Sequence, residues 1–495
     1  MKQDMNDAQS YSIKTPKVLD QVEISKIRDK RVLNGLLPRF TSKPLVETRG
    51  IERVLPEDRT DTSLWHIVAV WWSANIGIST MSVGILGPAV FRLSLRQTYS
   101  RLTFKVFGNR LHSIFRNACS TDTPCLLTIS ALVLNLGSVK WLLHVSVLDG
   151  SERESYVYWN FLFGWDSIGL ILSSQILFAM TKAISYRLSI LIFAFLGLIV
   201  PVLGYEVLHK FQSYAYIPSL ISVIIVLVQL GRNGSFTVSA PMNLNKTEAV
   251  LNFSAAIFGG GIGWASTGAD YNVMRPADTK RTQIYFVSYA SLMLSMAPSE
   301  VVGAACGTTI FANSRYADAY QSDNIGGLLS EVLESLGHTG KMLCFAMFLF
   351  ASISSTILSK YSTGFVIQTL GNRALMVPRW VWTIVGSVIA TGIALVGAKH
   401  FSEALTNMLG IIGYWMSIYT CIVLEEHIIF RSRYGYKLDD WNTPSRLPVG
   451  IAAGAASIFG ITGAVLGMQQ PWFTGAIAKL IGSTGGDIGF GISAL

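Results

Sequence analysis

The sequence predicts an all-α integral membrane protein of about 12 transmembrane helices, and three observations carry that prediction. Of the 495 residues, 51% are apolar and only 14% are charged, with a mean hydropathy of +0.43. A soluble domain carries roughly 25% charged residues. The charges are also unevenly placed: residues 1–63 hold 22 of the 69, which leaves the other 432 residues only about 11% charged. Finally, the apolar segments recur at lengths near the 20 residues or so that a helix needs to cross hydrocarbon. They are apolar all round, which a membrane barrel is not.

Two regions follow. Residues 1–63, of mixed charge and few aromatics, read as a disordered cytosolic tail. Residues 64–495 read as a polytopic transmembrane transporter domain. The spans fall near 65–91, 157–180, 187–204, 214–230, 250–271, 284–311, 341–370, 378–398, 404–424 and 447–468, with a short last one at 475–495. Segment 124–147, with Lys140 inside it, completes the set. The stretch 92–124 is the exception: Arg92, Arg96, Arg101, Lys105, Arg110 and Arg116 make it basic, and the span count puts it outside, against the positive-inside rule. Later basic loops (Arg275, Lys280, Arg281; Arg373, Arg379; Arg431, Arg433, Lys437, Arg446) obey that rule. The glycosylation sequons at Asn233 and Asn245 fall on an outside loop. No cleaved leader is expected, since the first apolar span directs insertion.

Several functional classes are excluded. The net charge of +9 comes from membrane-flanking basic residues, with no basic face interleaved with aromatics, so no nucleic-acid partner is expected. The five cysteines form no Cys-x-x-Cys pair, and Cys306, Cys344 and Cys421 read as buried inert thiols. There is no phosphate-binding loop and no nucleophile elbow, and the seven histidines lack metal-ligand spacing. No enzyme activity, cofactor or metal is expected.

The chemistry concentrates in two interrupted spans. The first contains Ser73-Ala74-Asn75-Ile76-Gly77-Ile78-Ser79-Thr80 and then Gly84 and Gly87-Pro88. The sixth contains Gly259, Gly260, Gly261 and Gly263 within five positions, then Trp264. Each glycine costs a helix about 1 kcal/mol relative to alanine. Broken backbone at membrane depth is tolerated only where it is buried or lines a cavity. Two such spans five segments apart predict two five-helix repeats with a substrate site between them. Trp264 in the sixth span and Trp165 in the third lie within spans, where two indoles can sandwich a flat ring and the freed backbone near Gly263 can bond its edge. Close packing through small residues is the plain alternative for the glycines. Intramembrane carboxylates are candidate functional groups: Asp270 and Glu300 for proton coupling, and Asp166 beside Trp165.

These residues carry a family resemblance. The chain resembles the fungal purine-cytosine permeases of the nucleobase-cation-symport-1 family through Arg49-Gly50-Ile51-Glu52-Arg53-Val54-Leu55-Pro56, Trp72-Ser73-Ala74-Asn75, Gly204-Tyr205 with Leu208-His209, Tyr214-Ala215-Tyr216-Ile217-Pro218, Gly263-Trp264-Ala265-Ser266, Ala269-Asp270-Tyr271-Asn272 and Ala297-Pro298 with Glu300. The match covers about 49–93 and 157–490. It implies a LeuT-like 5+5 inverted-repeat core plus two C-terminal helices. It also implies import of nucleobases in symport with protons across the plasma membrane, with Trp165 and Trp264 flanking the base and Ser73 or Ser79 contributing.

The departures from the pattern are specific. Where the family places a base-binding amide, one turn after the third-span tryptophan, this chain has Gly169. Its eighth span reads Ser355-Thr356-Ile357-Leu358-Ser359-Lys360-Tyr361-Ser362, so the family's amides are gone and Lys360 adds a charge. Residues 94–156 lack the expected second span. These departures imply a divergent paralogue or a mis-read gene segment. They leave open a transporter of another flat heterocycle such as pyridoxine, or a transport-dead binding protein. Leu349 and Phe350, matched to the sodium-coordinating hydroxyls of bacterial relatives, favour protons over sodium.

Overall fold

The computed structural model describes residues 50, 54, 59–95, 97–98, 151–236, 246–268, 270–276, 278–368, 374, 376–431 and 450–495. Tail residues 1–49, most of the basic segment 92–124, the expected span 124–147, Asn245, Cys119 and Cys125 lie outside the described residues.

The first span is broken as the sequence predicts. Helix α1 (Leu64–Asn75) and helix α2 (Ile78–Ala89) meet at a bend of 48°. Gly77 sits in the break at φ 157° and ψ −168°, a conformation that is essentially glycine's alone. The remaining long helices are α3 (Ser151–Met180), α4 (Tyr186–Leu203), α5 (Tyr205–Asn233), α6 (Lys246–Ile262), α7 (Arg281–Thr308), α8 (Ser314–Val332), α9 (Gly337–Gln368), α10 (Arg379–Gly397), α11 (Phe401–Glu425) and α12 (Ile451–Gly467). The Ser185 side chain caps α4, and Gly204 at φ 105° separates α4 from α5. Among the described residues, five helical stretches are long and apolar enough to cross a membrane, and α1 with α2 makes a sixth. The longest, Arg379–Ile429, divides into α10 and α11 at the 3-10 turn Ala398–His400. Outward faces are apolar: Phe195 is 68% exposed, Val396 80% and Phe459 79%, which fits lipid rather than water as the surrounding solvent.

Packing sorts the helices into two groups. Helices α3, α4, α9 and α10 each touch the other three. Helix α7 packs on both α1 and α2, and α6 packs on α2 and α11. Helix α5 bridges the groups, touching α1 and α9. Close approach of α2 to α7 rests on glycine: a Cβ on Gly84 would lie 2.0 Å from the Glu300 carbonyl oxygen, and one on Gly303 would lie 2.0 Å from that of Met81. The described end of the tail is packed rather than detached. Val54 is buried, and the Asp61 N–H donates to the Met274 carbonyl at 3.1 Å. Asn233, in one sequon, donates its side-chain amide to the Val332 carbonyl at 3.1 Å.

The span expected at 475–495 is not a helix. Gln469–Gln470 pairs antiparallel with Phe473–Thr474, a 3-10 turn follows at Ala478–Leu480, and helix α13 (Gly489–Ile492) has only four residues. Gly482 (φ 68°) and Gly485 (φ 90°) turn the chain where a helix would need negative φ. Polar groups fix the fold: Asp487 accepts from Tyr414 of α11, and the Gln470 amide donates to the Tyr414 hydroxyl at 2.7 Å. The Thr484 N–H donates to Glu248 of α6 at 2.9 Å. Composition alone registered the apolar residues and missed these partners.

The α2–α7 contact yields the first prediction. Gly84→Val should lower the melting temperature and surface expression, at a cost of about 1–3 kcal/mol for overpacking. Gly454→Ala in α12, where a Cβ meets nothing within 4 Å, should be neutral or slightly stabilising. Thermal unfolding of the purified variants checks both.

Candidate substrate site

A pocket lies where the two interrupted spans meet. Asn75, Ser79, Thr80 and Val83 line it from the first span, with Gly260 and Trp264 from the sixth. Trp165 of α3, Met296 and Glu300 of α7, and Ser355 and Ser359 of α9 complete it.

The sixth span breaks later than its glycines suggest. Helix α6 runs regularly through Gly259–Gly261 to Ile262 and then tightens into a 3-10 turn at Gly263–Ala265, followed by turns. Gly259 serves packing: a Cβ there would lie 1.9 Å from the Leu409 carbonyl oxygen of α11. The glycine run therefore does both things weighed for it, contact first and rupture after. The Gly263 carbonyl accepts from the Ser266 hydroxyl at 3.2 Å, and the Trp264 carbonyl accepts from the Gly268 N–H at 3.1 Å.

One hydrogen bond joins the two breaks. The indole N–H of Trp264 donates to the Asn75 side-chain carbonyl at 3.0 Å. The Asn75 amide in turn donates to the Trp71 carbonyl at 3.0 Å. Trp71 packs edge-on against Trp264, with ring centroids 5.6 Å apart. The Asn75 side chain is thus occupied from both ends while it lines the pocket, and it positions Trp264.

Among the sequence-predicted site residues, Ser79, Trp165, Trp264, Ser355 and Glu300 converge on this space. Ser73 does not; its hydroxyl donates to the Val70 carbonyl at 3.0 Å. Gly169 lies at the α3–α9 contact, where a Cβ would lie 2.5 Å from the Thr356 methyl, and neither residue lines the pocket. Gly263 and Asp270 also lie off the lining. Asn75, Thr80, Gly260, Met296 and Ser359 are lining residues that sequence reasoning missed. Asn75 and Gly260 stood inside the two interrupted motifs, a signal that was available. Phe350 is 38% exposed and packs on Phe211, Ala351 lies 3.3 Å from a Cβ built on Gly77, and Leu349 packs against the core cluster that includes Ile76 and Ile78.

Lys360 enters the membrane core as half of an ion pair. Its ammonium donates to Asp166 Oδ2 at 2.6 Å and to Ser387 Oγ at 2.7 Å, and both charged side chains are at most 3% exposed. The second carboxylate oxygen, Oδ1, has no hydrogen-bond partner. Gly197 of α4 makes room: a Cβ there would meet Lys360 Cε at 2.9 Å. The pair ties α3, α9 and α10, and it is one residue from Trp165 and from Ser359. Cys306 and Cys344 are buried and free, and Cys421 is half-buried and free.

A bundle of apolar helices with a pocket between two ruptured spans defines a multi-pass membrane transporter, and comparison with known proteins agrees. Residues 161–489 match the family described as permeases for cytosine/purines, uracil, thiamine and allantoin. The chain is 30% identical to the purine-cytosine permease fcyB of Emericella nidulans, over 92% of this chain and 87% of that protein. It is 25% identical to the vitamin B6 transporter TPN1 of Saccharomyces cerevisiae, over 90% and 85%. The solved structure of Mhp1, a nucleobase-cation-symport-1 family transporter, closed with bromovinylhydantoin bound, superposes with a TM-score of 0.59 at 13% identity, covering 92% of each chain. The inward-facing form of Mhp1 gives 0.57 at 12% identity, over 86% of this chain and 89% of that one. This chain belongs to the purine-cytosine permease family of nucleobase-cation-symport-1 transporters, and it is a transporter rather than an enzyme.

The buried pair gives the second prediction. Lys360→Met should destabilise the protein by about 3–5 kcal/mol, because Asp166 is left charged and unpaired. Adding Asp166→Leu should recover most of that loss. Melting temperatures of the single and double variants decide it.

Proposed function

We propose that this chain imports purines, cytosine or one of these, in symport with protons, by alternating access in the plasma membrane with its N-terminal tail in the cytosol. The observation that carries the reading is the single space shared by Trp165, Trp264 and Glu300 between the two helix breaks. Two indoles offer stacking faces worth about 0.5–1.5 kcal/mol each beyond burial. The hydroxyls of Ser79, Thr80, Ser355 and Ser359 offer both donors and acceptors to a heterocycle's edge. Glu300 is the carboxylate on the lining and so the first candidate for carrying the proton, ahead of Asp270.

A second reading has its own support. The pocket is lined by hydroxyls, and its Asn75 amide is already spent on Trp264 and Trp71. A hydroxyl-lined site suits a different flat heterocycle, such as a B6 vitamer, for which a relative is named. A transport-dead binding protein is the third reading. Installing an amide by Gly169→Asn does not test it cleanly, because the new side chain meets Thr356.

Uptake of labelled cytosine, adenine and pyridoxine in cells lacking their own permeases separates the readings. The proposal expects base uptake that a protonophore abolishes and that survives sodium removal; uptake that requires sodium and ignores the protonophore would sink the coupling. No uptake of any base, with the protein verified at the surface, would sink the substrate class. Glu300→Gln should lower concentrative uptake by on the order of tenfold or more, a loss of at least about 1.4 kcal/mol. Trp264→Ala should weaken apparent affinity by about 1–3 kcal/mol through loss of the stack and the Asn75 bond, and Trp264→Phe by less.

A further inference from the structure

At the end of the bundle where α1 begins, three side chains from distant parts of the sequence converge. Asp61 precedes α1, His66 lies in its first turn and His209 lies in the second turn of α5. One ligand atom from each lies within 4.8 Å of the other two. His66 Nδ1 is 2.8 Å from Asp61 Oδ1, and the two imidazole centroids are 5.5 Å apart. His209 is only 4% exposed, and neither of its ring nitrogens has a hydrogen-bond partner. A buried imidazole with both nitrogens outside hydrogen-bond geometry is open to a ligand, and the Tyr271 main chain is the protein group that competes for it.

The surroundings are those of a supported ligand set. Asp61 Oδ1 also accepts from the Ser63 N–H at 3.2 Å. Its other oxygen accepts from the Tyr205 hydroxyl at 3.2 Å, an outer-shell bond of the kind that orients a ligating carboxylate. The Tyr205 ring lies against His209, centroids 4.1 Å apart, and fixes the imidazole. The Tyr271 main chain faces the same ring. Arg275 counts against a bound cation. Its Nη2 is 3.8 Å from Asp61 Oδ2 and donates to the Ser63 carbonyl at 2.9 Å. It competes with a bound ion for Asp61 and places a positive charge near His209, so the affinity falls below that of a four-ligand structural site. Two imidazoles and one carboxylate suit a borderline ion such as zinc, with a fourth position left to water, and do not suit magnesium or calcium.

We propose that Asp61, His66 and His209 form a binding site for a divalent transition-metal ion of the zinc class, and that the bound ion pins α1 to α5 and inhibits transport. Binding stands on the donor geometry alone. Inhibition rests on the alternating-access reading above, since it requires α1 to part from α5. The histidines are 143 residues apart in sequence, which is why no ligand spacing betrays them.

The test uses the untagged full-length chain in detergent, titrated with Zn²⁺ by calorimetry and with Co²⁺ by visible absorption. One ion per chain is expected, with Co²⁺ bands of a nitrogen- and oxygen-ligated, low-coordinate site. His66→Ala, at a half-exposed position, and His209→Ala should each weaken binding by at least about tenfold, and Tyr205→Phe by about 10–100-fold. Absence of stoichiometric binding, or binding unchanged in His66→Ala, would overturn the site. In uptake assays Zn²⁺ should inhibit the wild type and spare His66→Ala. Zinc bound as expected with uptake unaffected would overturn the clamp. A chain that transports no base would still be read by calorimetry, so failure of the transport reading and failure of the metal site are distinguishable.

Discussion

The bond from the Trp264 indole to Asn75 is the constraint on which the rest depends. A bilayer offers no water to a broken helix, so each rupture must find polar partners inside the protein. Here the two ruptures supply one another. The end of α1 presents an amide, and the unwound end of the sixth span presents an indole N–H. Their union ties the two breaks together beside the pocket that Trp264 lines. Trp71, buried beneath, locks the arrangement edge-on.

Around this joint both helix groups pack through glycines, and one adds a buried charge pair. In α1, α2, α6 and α7 the contacts are made by missing side chains: Gly84, Gly303 and Gly259 let backbone meet backbone. The Glu300 carbonyl rests on Gly84, so the carboxylate that lines the pocket is carried on a close glycine contact between α2 and α7. In α3, α4, α9 and α10 a charge pair does the fixing. Lys360 and Asp166 sit one residue from Ser359 and Trp165, so the ion pair sets where this group's lining residues stand. A charge that looks disruptive in a span is neutralised across two helices, and the apolar medium makes that pairing obligatory.

The ligand-facing chemistry follows from these frameworks. Hydroxyls, two indoles and one carboxylate reach the space, while the amide that might read a base edge is committed to structure. Family membership defines the transporter; the lining decides which flat ring it accepts. The Asp61–His66–His209 cluster shares α1 with the pocket but stands at the other end of that half-helix, so the two sites meet through one short rigid element.

What the sequence determined by itself was the class and the places of rupture. Hydropathy and helix length dictate a membrane bundle, because only closed hydrogen bonding survives in hydrocarbon, and Gly77 and Gly263 stand where it opens while Gly259–Gly261 stay helical. Trp165, Trp264 and Glu300 were legible because aromatic or charged groups within a span need a purpose, and Ser79 and Ser355 through the family resemblance. Only the tertiary structure decided the pairings. Gly169 and Thr356 belong to a helix contact, Ala351 lies against Gly77 at the break, and residues 475–495 fold as a glycine-turned cap held by Asp487, Tyr414 and Glu248. Each of these turns on which residue from another helix lies within a few ångströms, a distance that periodicity and composition do not encode.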